Sequence, residues 1–593
     1  MNKPFIATPQ RLLATASADP TAFACYHYRN KVWHGTRWET LAADVCALAR
    51  SLLDSGIKPR DRIAIFAYNR LEWVIADLAI MMVGAVSVGI YFTAAPNEVA
   101  FILRDSGAAC LILETEAQHQ KLVPFITDLP NPPRIIMIDG AAELTNMSSF
   151  ASMIAQGQAL PDAARASRLA AILPDDLGTL IYTSGTTGAP KAVGLSHRAL
   201  SNCLDVLYQM HQQTRTDRAI SYLPLAHIAE RMSSVHAFAA FGFSLYFAES
   251  VQTLGAHLPQ VRPTIFFGVP RVWEKLSAGL QQKLATTTGL AARIAAWAQR
   301  IGRDWHRRQR DALPVSPLLR LQYSLANALV YRKVKTAIGL DAARLLISGA
   351  APIAPETLEF LAGLDIVVYE LYGQSETCGP TSSNLPGANR LGSVGRAVPG
   401  TALKIAEDGE VLVRDDKLFA GYIGRPDATA ETLVDGWLLS GDLGMIDADG
   451  YLFITGRKKD LIITAGGKNI APSNIEAELE SLPLVEHGIV IGDRRPYLVA
   501  ILTLSRDAVE AFAVTNKIDL ASIETDPHLR AEIQRGIDRI NETQARVAQI
   551  RRFAILNCNF SVESGELTPT LKLRRNIVTN HCETAINLLY RDE

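Results

Sequence analysis

The sequence predicts an α/β fold: a large N-terminal unit of layered, mostly parallel sheets and helices with a small β subdomain, then a separate small α+β unit. Three observations carry this expectation. Short aliphatic runs alternate with helical periods over most of the chain, the texture changes near residue 400, and 593 residues exceed what one compact core holds. The runs DRIAIFAY (61–68), AACLILE (108–114), PRIIMID (133–139), TLIYTS (179–184) and PTIFFGV (263–269) read as buried strands. Between them, WETLAADVCALARSLLDSG (38–56) repeats apolar residues at three- and four-residue spacing, which predicts a helix with one buried face. Strands alternating with helices imply parallel pairing, because the crossover helix returns the chain to the same end of the sheet. From about 400, GEVLVRD and DGWLLSGDLGMIDADGYLFITGRKKD give shorter strands with Gly and Asp turns, ending in a charged hinge. The expected division is therefore 1–456 and 457–593.

Composition narrows the class of function. Hydrophobic residues are 48% and charged residues 20%, ordinary for a soluble globular protein, and the net charge of −1 supplies no overall field to draw in nucleic acid. Seven cysteines (Cys25, Cys46, Cys110, Cys203, Cys378, Cys558 and Cys582) show no CxxC pair or zinc spacing, which suits free thiols in a reducing cytoplasm. The N-terminus has no apolar signal region, so a cytoplasmic location is expected. The apolar stretch 78–92 spans 15 residues, with Glu72 and Asp77 just before it. A membrane span needs about 20 apolar residues, so this stretch reads as a buried helix-to-strand connection broken at Gly84. Residues 276–335 are helical in period and rich in arginine. In 293–310, Trp297 and Trp305 interleave with Arg300, Arg303, Arg307 and Arg308, a pattern that fits either peripheral contact with anionic lipid or a solvated face with inward tryptophans.

The chemistry begins after the strand TLIYTS, with Thr183, Ser184, Gly185, Thr186, Thr187, Gly188, Ala189, Pro190 and Lys191. Two glycines let the backbone curl so that amide hydrogens face phosphate oxygens, four hydroxyls add donors or Mg²⁺ ligands, and Lys191 adds positive charge. The spacing differs from the common GxxxxGK[ST] loop. YTSGTTGAPKAV resembles the signature loop of the adenylate-forming superfamily, which includes acyl-CoA synthetases, luciferases and peptide-synthetase adenylation domains. One departure is Ala192, where that family usually has glycine.

Further motifs follow in family order. SYLPLAHIAER (221–231) resembles the segment whose histidine, here His227, lies by the acyl and thiol entry. GAAPIAPETLEF (349–360), with Gly349 and Ala350, resembles the turn lining the adenine and acyl pocket. YELYGQSET (369–377), with Tyr372, Gly373, Glu376 and Thr377, resembles the motif whose ring stacks on adenine and whose glutamate binds Mg²⁺. SGDLG (440–444) supplies Asp442 for the ribose hydroxyls and GRKKD (456–460) supplies Arg457 for the same sugar, with Lys459 at the hinge. ITAGGKNIAPSNIEAELE (463–480) places Gly466 and Gly467 where a pantetheine arm passes, and GELTPTLKLRR (565–575) resembles the loop bearing the catalytic lysine, here Lys572. Leu571 replaces the commoner glycine before it, a variant found in long-chain enzymes. Without the motif order these residues are bland: Lys572 a surface lysine, Asp442 a turn cap before Gly444, His227 a core histidine.

The resemblance implies a two-step reaction using ATP, Mg²⁺ and coenzyme A. A carboxylate attacks the α-phosphorus of ATP, and because two anions then approach each other, cations and amide donors must neutralise the transition state. Lys572 is expected to bridge carboxylate and α-phosphate, with Mg²⁺ near Glu376 and Thr183. The C-terminal unit then rotates at Lys459 so that the thiol displaces AMP. VPRVWEKL (269–276) and the motifs above look most like long-chain acyl-CoA synthetases, so a medium- or long-chain fatty acid is the expected substrate. The apolar segment 233–250 reads as the lining of an alkyl tunnel or as a core helix and strand. The alternatives are an acyl-AMP ligase that loads a carrier protein, a CoA ligase for an aryl or branched acid, a silent lipid-binding scaffold, and a phosphotransferase.

Overall fold

The computed structural model describes residues 5–127, 129–140, 147–183, 189–465, 468–516, 518–520, 523, 526–561, 564–568 and 573–591. Its largest sheet has eight strands in the order Gly421–Tyr422, Lys191–Ser196, Leu177–Thr183, Val86–Ile90, Arg62–Phe66, Cys110–Thr115, Arg134–Asp139 and Met147–Ser149. From Leu177–Thr183 onward the pairs are parallel; the two at the near edge are antiparallel. Alternation along each strand sends side chains to two cores. Ile63 and Ile65 pack with Leu41, Leu48, Trp73 and Leu78 from the helices Trp38–Asp54 and Leu71–Met82. Ala64 and Phe66 pack on the other face with Val99, Ile102, Leu103 and Leu122 from Pro96–Ser106 and Glu116–Ile126. The strand runs of the sequence are apolar at most central positions, on both faces, because both faces are covered.

The apolar stretch 78–92 becomes the end of the helix Leu71–Met82, a left-handed Gly84 at φ +72°, and the buried strand Val86–Ile90. Among the described residues no helix is long and apolar enough to cross a membrane. Val235, Phe238, Phe243, Leu245 and Phe247 of the segment 233–250 are packed in the largest core as helical turns and a strand. All seven cysteines are free, and all but Cys46 and Cys558 are buried.

A second sheet carries Ile265–Gly268, Leu345–Gly349 and Val368–Gln374 in parallel, then Gly379–Ser383 and Arg396–Ala397 antiparallel. A third pairs Arg218–Ser221 and Ser244–Phe247 with Phe23–Arg29 and Val32–Arg37. The small β subdomain is built on Ala402–Ile405, Glu410–Arg414, Trp437–Ile446 and Leu452–Arg457. Beyond it, Val485–Ile491, Leu498–Leu504 and Ile550–Ile555 form a three-stranded sheet whose core includes Leu479, Val490, Leu502, Ile533 and Phe553.

One buried ion pair ties the layers together. Arg231 and Asp77 are both wholly buried, and Arg231 also bonds the Ser87 hydroxyl and lies 4.8 Å over the Trp73 ring. It fixes the short helix Ile228–Arg231, and with it His227, onto the main sheet. The arginine-rich region folds as the helices Gly289–Arg310 and Pro317–Ala326. Trp297 and Trp305 pack into the core shared by the pair, where Trp305 stacks on Tyr323 at 4.2 Å.

Candidate active site

The strand Leu177–Thr183 returns as Lys191–Ser196, so the phosphate-type loop is the tip of an antiparallel hairpin with Thr183 directly opposite Lys191. Ser184, Gly185, Thr186, Thr187 and Gly188 lie outside the described residues, as do Gly466, Gly467 and Lys572. The two-residue strand Gly421–Tyr422 pairs with the outer strand of this hairpin and sets Tyr422 opposite Val193. Positions 191 and 193 share a face, so the Lys191 ammonium comes to lie 4.7 Å over the Tyr422 ring. The Tyr422 hydroxyl donates to Glu376 Oε1 at 2.8 Å. Burial and the Glu376 charge push the Tyr422 phenol well above its ordinary range, so it stays a donor. Glu376 Oε2 and the Thr183 hydroxyl have no partner among the described residues, which leaves two hard oxygen ligands near Lys191. No group of three or more His, Cys, Asp or Glu side chains forms a metal cage among the described residues. The two oxygens of Glu376 and Thr183 suit Mg²⁺, which binds through one or two carboxylates and completes its shell with phosphate and water.

A second cluster surrounds Asp442. It faces Arg457 across the hairpin, and Arg457 Nε donates to its Oδ1 at 2.8 Å. Oδ2 accepts from the Tyr372 hydroxyl at 2.6 Å and from Gln374 Nε2 at 2.5 Å. Gln374 Nε2 also reaches the Ser440 carbonyl at 2.9 Å. Burial, then the Asp442 charge, drives the Tyr372 phenol far up, while Asp442 raises Arg457. Asp442 is therefore a buried carboxylate clamped by three donors, with a fixed rather than a mobile orientation.

Both clusters are mounted on the turn 372–377. A Cβ on Gly373 would stand 1.9 Å from the Gly379 carbonyl oxygen, so only glycine allows the chain to double back there. The Thr377 hydroxyl accepts from the Gln374 amide at 3.0 Å, lies 2.8 Å from the Gly379 carbonyl and is 1% exposed. Its visible task is to lock this turn. Beside it, a Cβ on Gly349 would meet the Leu371 carbonyl at 2.9 Å, and Ala350 sits in the left-handed region at φ 76°. Such a backbone in a non-glycine residue is costly by about 1–2 kcal/mol and clusters at functional sites. His227 is half-buried and caps the helix Ile228–Arg231, its Nδ1 accepting from the Ala229 amide at 3.3 Å. Lys459 is exposed in the single turn Lys458–Asp460, whose Lys458 is tied to Asp408 at 2.5 Å and Glu410 at 2.9 Å.

The sequence reading missed Gln374, Ser440 and Tyr422. The first two lie inside recognised motifs and show their roles only through the contacts around Asp442. Tyr422 belongs to a strand too short to leave a period, and only the pairing with Lys191–Ser196 brings it into place.

Residues 13–423 match the family described as AMP-binding enzyme, and residues 459–593 match the AMP-binding enzyme C-terminal domain. The chain is 35% identical over 568 residues to long-chain-fatty-acid–CoA ligase FadD15 of Mycobacterium tuberculosis, covering 95% of this chain and 93% of the relative. It is 33% identical to long-chain-fatty-acid–CoA ligase ACSBG2 of Xenopus laevis, covering 94% and 80%. Its fold matches the adenylation domain of a carboxylate reductase from Mycobacterium chelonae with a TM-score of 0.79 at 20% identity, over 100% and 92% of the two chains.

Proposed function

The chain belongs to the AMP-binding enzyme family, and on that premise we propose that it joins a long-chain fatty acid to coenzyme A through an acyl-adenylate, releasing AMP and pyrophosphate. The observation that carries the reading is the convergence on one turn, 372–377, of a clamped carboxylate at Asp442 and a half-free carboxylate at Glu376. The first suits a sugar diol and the second a phosphate-bound cation. The choice of a long-chain acid rests on the end-to-end similarity to relatives bearing that name.

Asp442 accepts the two ribose hydroxyls while Arg457, Tyr372 and Gln374 hold its orientation. The ring of Tyr372 offers adenine a flat face. Gly349 and Ala350 let the backbone approach the nucleotide closely. Lys191, with Ser184, Gly185, Thr186, Thr187 and Gly188, cradles the phosphates. Glu376 and Thr183 hold Mg²⁺, which when bound screens the phosphate charge. The fatty carboxylate attacks the α-phosphorus and pyrophosphate leaves, with Lys572 bridging the two anions at that moment. The C-terminal unit, beginning at residue 457, then turns about Lys459. Gly466 and Gly467 border the pantetheine arm, His227 lies at the thiol entry, and the thiol attacks the acyl carbonyl to expel AMP.

The test is a panel of acids from acetate to oleate and benzoate with Mg-ATP, following pyrophosphate, AMP and thioester with and without coenzyme A. Thioester formation strongest with long chains supports the reading. Adenylate that accumulates and ignores coenzyme A overturns it in favour of a carrier-loading ligase.

A further inference from the structure

The helix Pro317–Ala326 and the turn Asn327–Tyr331 that continues it bury Leu319, Ala326 and Val330 against Gly289–Arg310. The opposite side is not polar. Leu318 is 64% exposed, Leu321 68%, Leu325 51% and Leu329 41%. Their spacing of three, four and four residues places them in one row along the helix. Single exposed leucines are ordinary, but a contiguous row of four large apolar side chains on one helix face marks a contact surface.

The charge around the row is equally one-sided. Residues 289–338 hold eight arginines and two lysines against two aspartates, in a chain whose net charge is −1. Arg293, Arg300, Arg303, Arg320, Arg332 and Lys333 have no carboxylate partner among the described residues, whereas Arg307, Arg308 and Arg310 are paired with Asp304 or Asp311. Arg332 and Lys333 follow the leucine row along the chain and Arg320 flanks it on the same helix, all three exposed.

We propose that this face docks the enzyme on an anionic lipid bilayer, the leucine row entering the acyl region and the unpaired arginines and Lys333 lying at the phosphate level. Long basic side chains lay their stems along the apolar row and reach outward with the charge, which is the geometry of an interfacial helix. Charge complementarity selects the occupant. A second copy docked by the same face across a two-fold axis brings like-charged arginine clusters together, so self-association is disfavoured. The tryptophans of 293–310 are taken up in the helix pair's own core, so the apolar part of the contact is made by the neighbouring helix and the Arg/Trp segment contributes charge alone. The proposal is independent of which acid is activated.

The experiment is flotation of the full chain with vesicles of phosphatidylcholine alone and of phosphatidylcholine mixed equally with phosphatidylglycerol. The triple variant L318S/L321S/L325S and the charge variant R320Q/R332Q/K333Q are run alongside, with melting temperature and activity on a short soluble acid as folding controls. Binding to the anionic vesicles alone is expected, reduced about tenfold or more by each variant and weakened by salt. Both controls stay unchanged. Absence of binding to anionic vesicles overturns the proposal, as does binding that ignores the leucine substitutions. A dimer in solution that the leucine variant dissolves also overturns it and assigns the face to a second copy.

Discussion

Tyr422 makes two contacts through different parts of one side chain: its ring carries the Lys191 ammonium and its hydroxyl holds Glu376. Tyr422→Phe separates them, keeping the ring and deleting the donor. A hydrogen bond to a charged group is worth roughly 1.5–3 kcal/mol, so half-maximal activity should require about tenfold more Mg²⁺ with little change in melting temperature. A Mg²⁺ titration identical to the parent's would remove Tyr422 from the cation site. Glu370, on the strand Val368–Gln374 that leads into the turn bearing Glu376, is a different case. Its carboxyl is buried without a side-chain partner among the described residues, beside the buried and unpartnered Ser348 hydroxyl across the strand pair. Burial pushes it from 4.5 to about 8. In that window the folded state keeps a proton that the unfolded chain has released, so the stabilisation is complete below 4.5 and fades as pH rises. Glu370→Gln removes the effect, and its melting temperature relative to the parent should rise between about pH 5 and about pH 8. A constant difference would mean that the carboxyl is ionised when folded. Tyr372, Glu376, Asp442 and Arg457 were legible in the sequence because their motif neighbours are contiguous in the chain. Tyr422 and the partnerless state of Glu370 were not, because both are products of strand pairing.

Elements show the same divide. The buried strands and the helix Trp38–Asp54 follow directly from apolar periodicity, and the structure places the strands within a few residues of the expected bounds. The turn at Met232–Ala237, wound wider than an α-helix, leaves no such trace. It follows the short helix pinned by Arg231, whose partner Asp77 stands immediately before the apolar stretch 78–92. Removing one member of a buried pair strands the other charge, so Asp77→Ala should destabilise the chain by about 3–5 kcal/mol in denaturant titration. A loss within about 0.5 kcal/mol, typical of surface sites, would show that Arg231 finds another partner.

At the scale of the whole molecule, the contact between the C-terminal unit and the body is electrostatically divided. Arg271 on the helix Pro270–Ala285 meets Glu486 at 2.6 Å. Close by, Glu274 faces Glu480, and burial together with that like charge raises Glu274 to about 7. Glu478 and Glu356 oppose each other in the same way. An interface holding both attraction and repulsion releases more easily than an apolar one. Lys459→Pro fixes φ where the unit is expected to turn, and should slow thioester formation about tenfold more than pyrophosphate release. Equal slowing of both would place the hinge elsewhere.

The hairpin Leu177–Thr183 and Lys191–Ser196 is completed at its edge by Gly421–Tyr422, and the sugar-facing pair needs the chain out to Arg457. Synthesis runs from the N-terminus, and the parallel strands on which the hairpin lies emerge from the ribosome long before those residues. A nascent chain that stops short of Tyr422 thus carries the strands of the phosphate hairpin but neither a seated Glu376 nor a ribose clamp, and it also lacks Leu438 and Leu452 of the largest core. Nucleotide binding is postponed by the order of translation itself, and truncated products should leave the cell's ATP untouched.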